Sequence, residues 1–307
     1  MRQCVRGLLV LACLFFAGCA SAGKIPEDLL YTRHENLSYG PHERNLVDIS
    51  IPDAPAQGVI LFIHGGSWVW GSKEHRPVFL DYFRDRFIVA AMNHRYIDET
   101  THVPDLEEDV AAAVAYIGDF ARRHHGEPGK LIIMGHSSGA HLALLYAYKH
   151  SETSPIPLAF CVDMAGPADM GDIAFLYNFK KIGWEKFFYS LAEKTAGYHI
   201  QNGDITDEGY SEAGKAVLEA ISPIAFAGAH SPPTILVHDV ADELVPYANS
   251  AALNRVLALY GVDHYFMASY FGIGHFLGAK ITRNGAVYDK RLTPWLLRAM
   301  NEYIEKY

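Results

Sequence analysis

Five residues, Gly135-His136-Ser137-Ser138-Gly139, constrain this chain more than any other stretch. They follow Lys130-Leu131-Ile132-Ile133-Met134, a short apolar run suited to a β-strand, and precede Ala140 to Tyr148, which reads as a helix. A strand that reverses directly into a helix around G-x-S-x-G holds its serine on a strained turn, the nucleophile elbow. Side chains at Gly135 and Gly139 would crowd that turn. Ser137 is then lifted above the sheet edge. The Ser138 amide, at a helix N-terminus, can donate to a negative charge that develops beside it. Glycine and serine also make ordinary turns, so the pentapeptide by itself leaves both readings open.

Residues 1–22 stand outside the fold expected for the remaining 23–307. Arg2 and Arg6 precede an apolar stretch, Leu8 to Phe16, that is too short to favour a spanning helix. Phe16-Ala17-Gly18-Cys19 resembles a bacterial lipobox, with Phe16 where leucine is usual. On that reading Cys19 is lipidated and tethers an exported protein to a membrane without crossing it. The alternative is a plain secretory signal cleaved near Ala20 or Ala22, with a periplasmic or secreted product. Cys4 and Cys13 leave with the signal in either case. Cys161, inside the apolar run Leu158–Val162, is expected to be a buried structural thiol. Half of the 307 residues are hydrophobic, enough for a sizeable core, and the net charge of -9 offers no basic footprint for nucleic acid.

Strand and helix signals alternate along 23–307. Lys24 to His34 reads as a tether with a short docking segment. Leu46–Ile51 alternates apolar and polar residues, as a half-buried edge strand does. Val59–Ile63 and Phe87–Met92 are continuous apolar runs, as expected of strands covered on both faces. A helix is expected from Pro104 to about His125, with Glu107, Glu108 and Asp109 as its solvated acidic start. Strands follow at Leu131, Leu158–Val162, Thr234–His238 and His264–Tyr270, with helices at Pro246–Tyr260 and Tyr288–Tyr307. The alternation implies an α/β fold with a mostly parallel sheet and helices on both faces. Residues 167–222 are longer than a crossover needs. They carry Phe175, Tyr177, Phe179, Trp184, Phe187, Phe188 and Tyr189, and read as a largely helical cap insertion.

A serine hydroxyl near neutral pH needs a base, an orienting acid and oxyanion donors. The acid candidate is Asp242, in the loop after the Thr234–His238 strand, with Asp239 and Glu243 as rivals. A loop carboxylate that caps the next helix is the plainer reading of that position. The base candidate is His275, between Gly274 and Phe276 after the last strand. With sixteen histidines in the chain a single one means little. His64-Gly65-Gly66-Ser67-Trp68, directly after Val59–Ile63, is the oxyanion candidate, because paired glycines let amides approach a substrate oxygen. Trp68 and Trp70 either pack in the core or line the acyl pocket. His136 is either a structural group or a substrate contact. No H-E-x-x-H, paired C-x-x-C or phosphate loop occurs, so neither metal nor organic cofactor is expected.

Oxyanion loop, serine, aspartate and histidine, each after an expected strand, occur in the order found in α/β-hydrolases. The chain resembles that superfamily over most of residues 35–305, in the esterase/lipase branch of carboxylesterases and arylformamidases with an H-G-G-x-W loop. Asn93-His94-Arg95-Tyr96 also resembles the Asn-Tyr-Arg-Leu segment after the fourth strand of such enzymes. The resemblance implies Gly65, Gly66 and Ser138 as oxyanion-hole positions. Three positions depart from it: Ser67 stands for a third glycine, Ser138 for an alanine, and Asp239 for a glycine after His238. The implied activity is hydrolysis of a small-molecule ester, on short-acyl or aryl substrates, through an acyl-enzyme. An arylformamidase-like amidase and a tethered binding protein on the same fold are the alternatives.

Overall fold

Apolar residues that alternate along the central strands separate into two cores, one on each face of a sheet. Val59, Leu61 and Ile63 belong to one core, while Ile60 and Phe62 belong to the other. Leu131 and Ile133 are divided in the same way from Ile132 and Met134. A strand with side chains on both faces must be apolar throughout when both faces are covered, which is why these runs read as continuous. Fully burying a side chain such as Phe62 contributes about 1.5–3 kcal/mol.

The computed structural model describes residues 31–181, 183, 193–197, 205–206 and 209–307. Residues 1–30, with Cys4, Cys13 and Cys19 of the expected signal, lie outside them, as do Trp184, Phe187, Phe188 and Tyr189 of the insertion. The strands are β1 (Tyr31–Ser38), β2 (Leu46–Pro52), β3 (Gly58–Ile63), β4 (Ile88–Met92), β5 (Lys130–His136), β6 (Leu158–Met164), β7 (Ile205–Thr206), β8 (Gly209–Tyr210), β9 (Thr234–Asp239), β10 (His264–Ser269), β11 (Lys280–Thr282) and β12 (Gly285–Val287). The main helices are α1 (Val103–His124), α2 (Ser138–Lys149), α3 (Ile173–Lys181), α4 (Glu212–Glu219), α5 (Tyr247–Leu259) and α6 (Leu292–Lys306). Eight strands form the central sheet in the order β1-β2-β4-β3-β5-β6-β9-β10. β1 and β2 are antiparallel to their neighbours and the rest run parallel. Helices α1, α2 and α5 cover one face, and α6 with the 3-10 turn Val78–Phe83 covers the other.

Two expectations need correction. Tyr31–His34, the end of the Lys24–His34 segment expected to be a tether, belongs to β1, which pairs with β2 and is the true edge, so β2 lies one place inside it. Its charged sequence, YTRHENLS, suits an edge that must not recruit other strands and for that reason does not look like one. Asp109 is not solvated. It is buried in α1 and accepts hydrogen bonds from the Arg95 amide at 2.8 Å and from Arg95 Nε at 3.0 Å, which fastens α1 to the segment after β4. The 167–222 insertion contains helices α3 and α4 but also the short antiparallel pair β7–β8. Cys161 is fully buried, as expected, and burial pushes its thiol well above the usual range.

Candidate active site

β5 delivers its last residue, His136, to a turn that only small residues can make. Ser137 sits there with φ 56° and ψ -125°, and α2 begins at the next residue. A Cβ on Gly135 would lie 2.3 Å from the Gly139 carbonyl carbon, and one on Gly139 would lie 2.2 Å from the Ile63 oxygen. Both glycines are therefore required by close backbone approach, one inside the turn and one against β3. A non-glycine residue at positive φ costs about 1–3 kcal/mol. Here Ser137 is fixed by its own amide donating to the Met164 carbonyl at 2.9 Å, and by its carbonyl accepting from His141.

Loops after the adjacent strands β9 and β10 meet this serine. His275 Nε2 is 2.8 Å from Ser137 Oγ, and His275 Nδ1 is 2.8 Å from Asp242 Oδ2. A carboxylate can only accept, so Nδ1 carries the proton and Nε2 accepts from the Ser137 hydroxyl. Asp242 Oδ1 accepts from the Leu244 and Val245 amides at 2.8 and 2.9 Å. Burial alone would raise the Asp242 carboxyl. The hydrogen bonds and charges of His238 and His275 outweigh that and hold it well below the usual carboxylate range. Of its rivals, Glu243 is exposed. Asp239 accepts from Ser269 Oγ at 2.7 Å and from amides of Ala241, Ile273 and Gly274. Asp239 thereby ties the loop that carries His275 to the ends of β9 and β10.

The Gly65–Gly66 turn lies beside the serine, and a Cβ on Gly65 would stand 3.1 Å from Ser137 Cβ. Gly66, Ser67 and Trp68 all have positive φ, at 129°, 50° and 60°. This left-handed run sends the two indoles to opposite destinations. Trp68 is not a substrate contact: it is 3% exposed, packs in the core and donates from Nε1 to His141 Nδ1 at 3.3 Å. Trp70 is 52% exposed and lines the pocket. His64 lies beneath the loop with its ring stacked on His94 at 4.4 Å. Its Nδ1 bonds the Gly65 carbonyl at 2.8 Å. Arg44 and the Tyr96 hydroxyl both donate to the Gly71 carbonyl, at 3.2 and 2.6 Å, with the Arg44 guanidinium flat on the Tyr96 ring. The Asn93–Tyr96 segment thus supports the loop from below.

A pocket of about 130 Å³ opens over Ser137 and His275. Phe62, Trp70, Phe276, Ile281 and Tyr288 supply its apolar walls, and Gly65, Gly66 and His136 complete the floor. His136 donates from Nε2 to the His275 carbonyl at 3.0 Å, so it both lines the pocket and steadies the histidine loop. Burial, with the neighbouring His275, pushes His136 down to about 4, which keeps it neutral. The walls from residue 276 onward come from the β11–β12 hairpin and its flanks, which the sequence reading missed. A three-residue strand such as Lys280–Thr282 carries no periodic signal. Among the described residues no group of His, Cys, Asp or Glu is arranged to hold a metal ion.

The family model described as BD-FAE matches residues 47–257, more than two thirds of the chain. The chain belongs to the BD-FAE family. The match runs from β2 into α5 and so includes Ser137 and Asp242, while His275 and the hairpin lie beyond it. This BD-FAE member is 26% identical over 237 residues to a probable isoprenylcysteine alpha-carbonyl methylesterase, ICME, of Oryza sativa subsp. japonica, covering 75% of this chain and 50% of that one. It is 26% identical over 229 residues to esterase LipQ of Mycobacterium tuberculosis, covering 72% and 52%. The chain thus spans about half the length of these curated relatives. Among solved structures, it is similar to a truncated carbohydrate esterase from gut microbiota, with TM-score 0.66, 21% identity and coverage of 91% and 98%. Inhibited esterase B from Lactobacillus rhamnosis gives TM-score 0.69, 14% identity and coverage of 92% and 90%. These likenesses establish the α/β-hydrolase fold for this BD-FAE member.

Proposed function

We propose that this protein is a serine carboxylic ester hydrolase. The observation that carries the reading is the continuous line from Asp242 through His275 to Ser137, with both links at 2.8 Å. Ser137 Oγ attacks the acyl carbon as its proton passes to His275 Nε2. The oxyanion is held by the amides of Ser138 and Gly66, with Gly65 beside them, at the positive end of α2. Collapse expels the alcohol, which takes the proton from His275. Water then attacks the acyl-Ser137 carbon, gives its proton to His275, and the acid leaves as that proton returns to Ser137 Oγ. Asp242 fixes the imidazole tautomer and stabilises its charged form. The esterase names of the relatives and fold neighbours support this chemistry.

The pocket supports a compact, uncharged substrate. Its walls are rings and aliphatic groups, and a cavity of about 150 Å³ accommodates a benzene ring, so one of about 130 Å³ suits a short acyl chain or a small ring. Across aryl esters from acetyl to palmitoyl, kcat/KM is expected to peak between acetyl and butyryl. Trp70→Ala is expected to flatten that preference at least threefold by opening the wall. A rate that climbs steadily to palmitoyl overturns the compact pocket. Faster turnover of an N-formyl arylamine than of any ester assigns the same machinery to an amidase instead.

The proposal extends to a tether through Cys19. No helix of the described residues is long and apolar enough to cross a membrane. Intact-mass measurement of the mature native protein is expected to find diacyl modification on Cys19, and Cys19→Ser to release the protein from membranes. An unmodified Cys19, or cleavage beyond it, removes the tether.

A further inference from the structure

Asp242 has a second imidazole on it. His238, fully buried at the end of β9, places Nε2 3.1 Å from the same Oδ2 that receives His275. Its Nε2 also lies 3.1 Å from the Val245 carbonyl. Its other nitrogen, Nδ1, is 2.7 Å from Ser250 Oγ on α5. Ser250 Oγ in turn is 3.4 Å from Asp163 Oδ2, at the end of β6. Ser250 and Asp163 are both fully buried. Asp163 Oδ1 accepts from the Gly166 amide at 2.8 Å. The ends of β6 and β9, the loop after β9 and one helix therefore converge on a polar line that runs Asp163, Ser250, His238, Asp242 inside an apolar core.

We infer that Asp163, Ser250 and His238 form a positioning arm that holds Asp242 through the same Oδ2 that receives His275. The inference rests on the esterase reading above. Its logic is a sequence of donors. Val245 O and Asp242 Oδ2 are both pure acceptors, so His238 must carry its proton on Nε2 to serve either. Nδ1 is then an acceptor, and the Ser250 hydroxyl is the donor that reaches it. Ser250 Oγ keeps a lone pair facing Asp163, which fits a protonated Asp163 carboxyl. Burial raises that carboxyl to about 7, and His238 is the titratable group that faces it from β9. The buried Tyr148 of α2 and Cys161 of β6 are its other titratable neighbours. Asp163 thus orients Ser250, Ser250 donates to Nδ1 and so supports the tautomer that Val245 O and Asp242 demand of His238, and His238 aims Nε2–H at Asp242. The two imidazoles on Asp242 are mirror images: His275 presents Nδ1–H to it, and His238 presents Nε2–H.

Orientation of the acid matters because a misaligned partner leaves the base in the wrong tautomer. Loss of one hydrogen bond to a buried charged group corresponds to about tenfold to hundredfold in rate. The test compares His238→Phe, His238→Gln and Ser250→Ala with the full-length protein. It uses kcat and KM on an aryl acetate, together with the rate of fluorophosphonate labelling. His238→Phe is expected to lower kcat and labelling about tenfold to hundredfold with KM unchanged. His238→Gln, which keeps a donor facing Asp242, is expected to recover to within about threefold of wild type. Ser250→Ala, which leaves the imidazole but removes its donor, is expected to lose several-fold in kcat alone. If His238→Phe does not fold by near-UV circular dichroism, Ser250→Ala decides. Full kcat in Ser250→Ala, a loss confined to KM, or a loss in His238→Phe that glutamine does not restore, overturns the arm. Absence of Ser137-dependent labelling in the wild-type protein overturns the esterase reading itself.

Discussion

Ser137→Ala is expected to abolish fluorophosphonate labelling and to lower kcat on aryl esters by about 10⁵–10⁶, the scale on which removal of a triad serine acts. The effect is large because the variant removes the hydroxyl that Asp242 and His275 activate: His275 Nε2 accepts from Ser137 Oγ. A residual rate about 10³ above water would remain from the amides of Ser138 and Gly66 and from binding. Ser138→Ala is the matched control. It removes a buried hydroxyl that has no hydrogen-bond partner among the described residues, and it keeps the amide. Little loss of kcat is expected there. Labelling that persists in Ser137→Ala, or an equal collapse in both variants, sinks the assignment of the nucleophile.

Exposure to acid is expected to unfold the protein well before its carboxylates titrate. His94, His136 and His141 are each held down to about 4 from an ordinary 6.5, with burial as the main cause, and His64 is also pushed well below that value. A histidine lowered in the folded state is neutral there while the unfolded chain takes up a proton. Stability is then complete above about 6.5 and declines as pH falls toward 4. Each histidine contributes a slope of up to about 1.4 kcal/mol per pH unit. Asp163 acts in the opposite sense, since its carboxyl is raised to about 7 and binds its proton first in the folded state. Asp242 adds to the loss only below the ordinary carboxylate range, because it is depressed. At pH 4.5 the three histidines outweigh Asp163 by about 5 kcal/mol, a large part of the stability of a typical domain. Urea midpoints measured from pH 7 to 4.5 should therefore fall steeply. His141→Gln, which keeps a donor for the Ile221 carbonyl, should reduce the slope by up to about 1.4 kcal/mol per pH unit. A midpoint that stays flat over that range contradicts the buried neutral histidines.

The sheet was readable because its inner strands are covered on both faces, and a run such as Val59–Ile63 has few other ways to be satisfied. The elbow was readable for a different reason: Gly135 answers a close backbone contact with Gly139 only four residues on, and the strand–turn–helix pattern around Ser137 is local even though Gly139 itself faces β3. What escaped the sequence reading depends on distant partners or on local handedness. Trp68 and Trp70 are two residues apart, and only the left-handed backbone of Ser67 and Trp68 decides which indole enters the core. Asp109 looks like an ordinary acidic helix start until Arg95 is folded against it. Asp163 ends an apolar run and Ser250 sits on a helix. Nothing local marks either, because their hydrogen bond joins residues 87 positions apart. An acid closing a fully apolar strand was the one available sign.

The β11–β12 hairpin is attached to the body of the protein at a single seam, where Ala286 donates to the Arg76 carbonyl at 2.9 Å and bridges to Pro77. It lies between the histidine loop and α6, and its flanks supply Phe276, Ile281 and Tyr288 to the pocket. The segment that shapes the candidate pocket is thus a cassette of about a dozen residues, placed after His275 and clipped to one edge. Exchanging it leaves every strand end that carries Ser137, Asp242 or His275 in place. Descent and laboratory selection can therefore retune what this scaffold accepts without reopening the question of how it reacts.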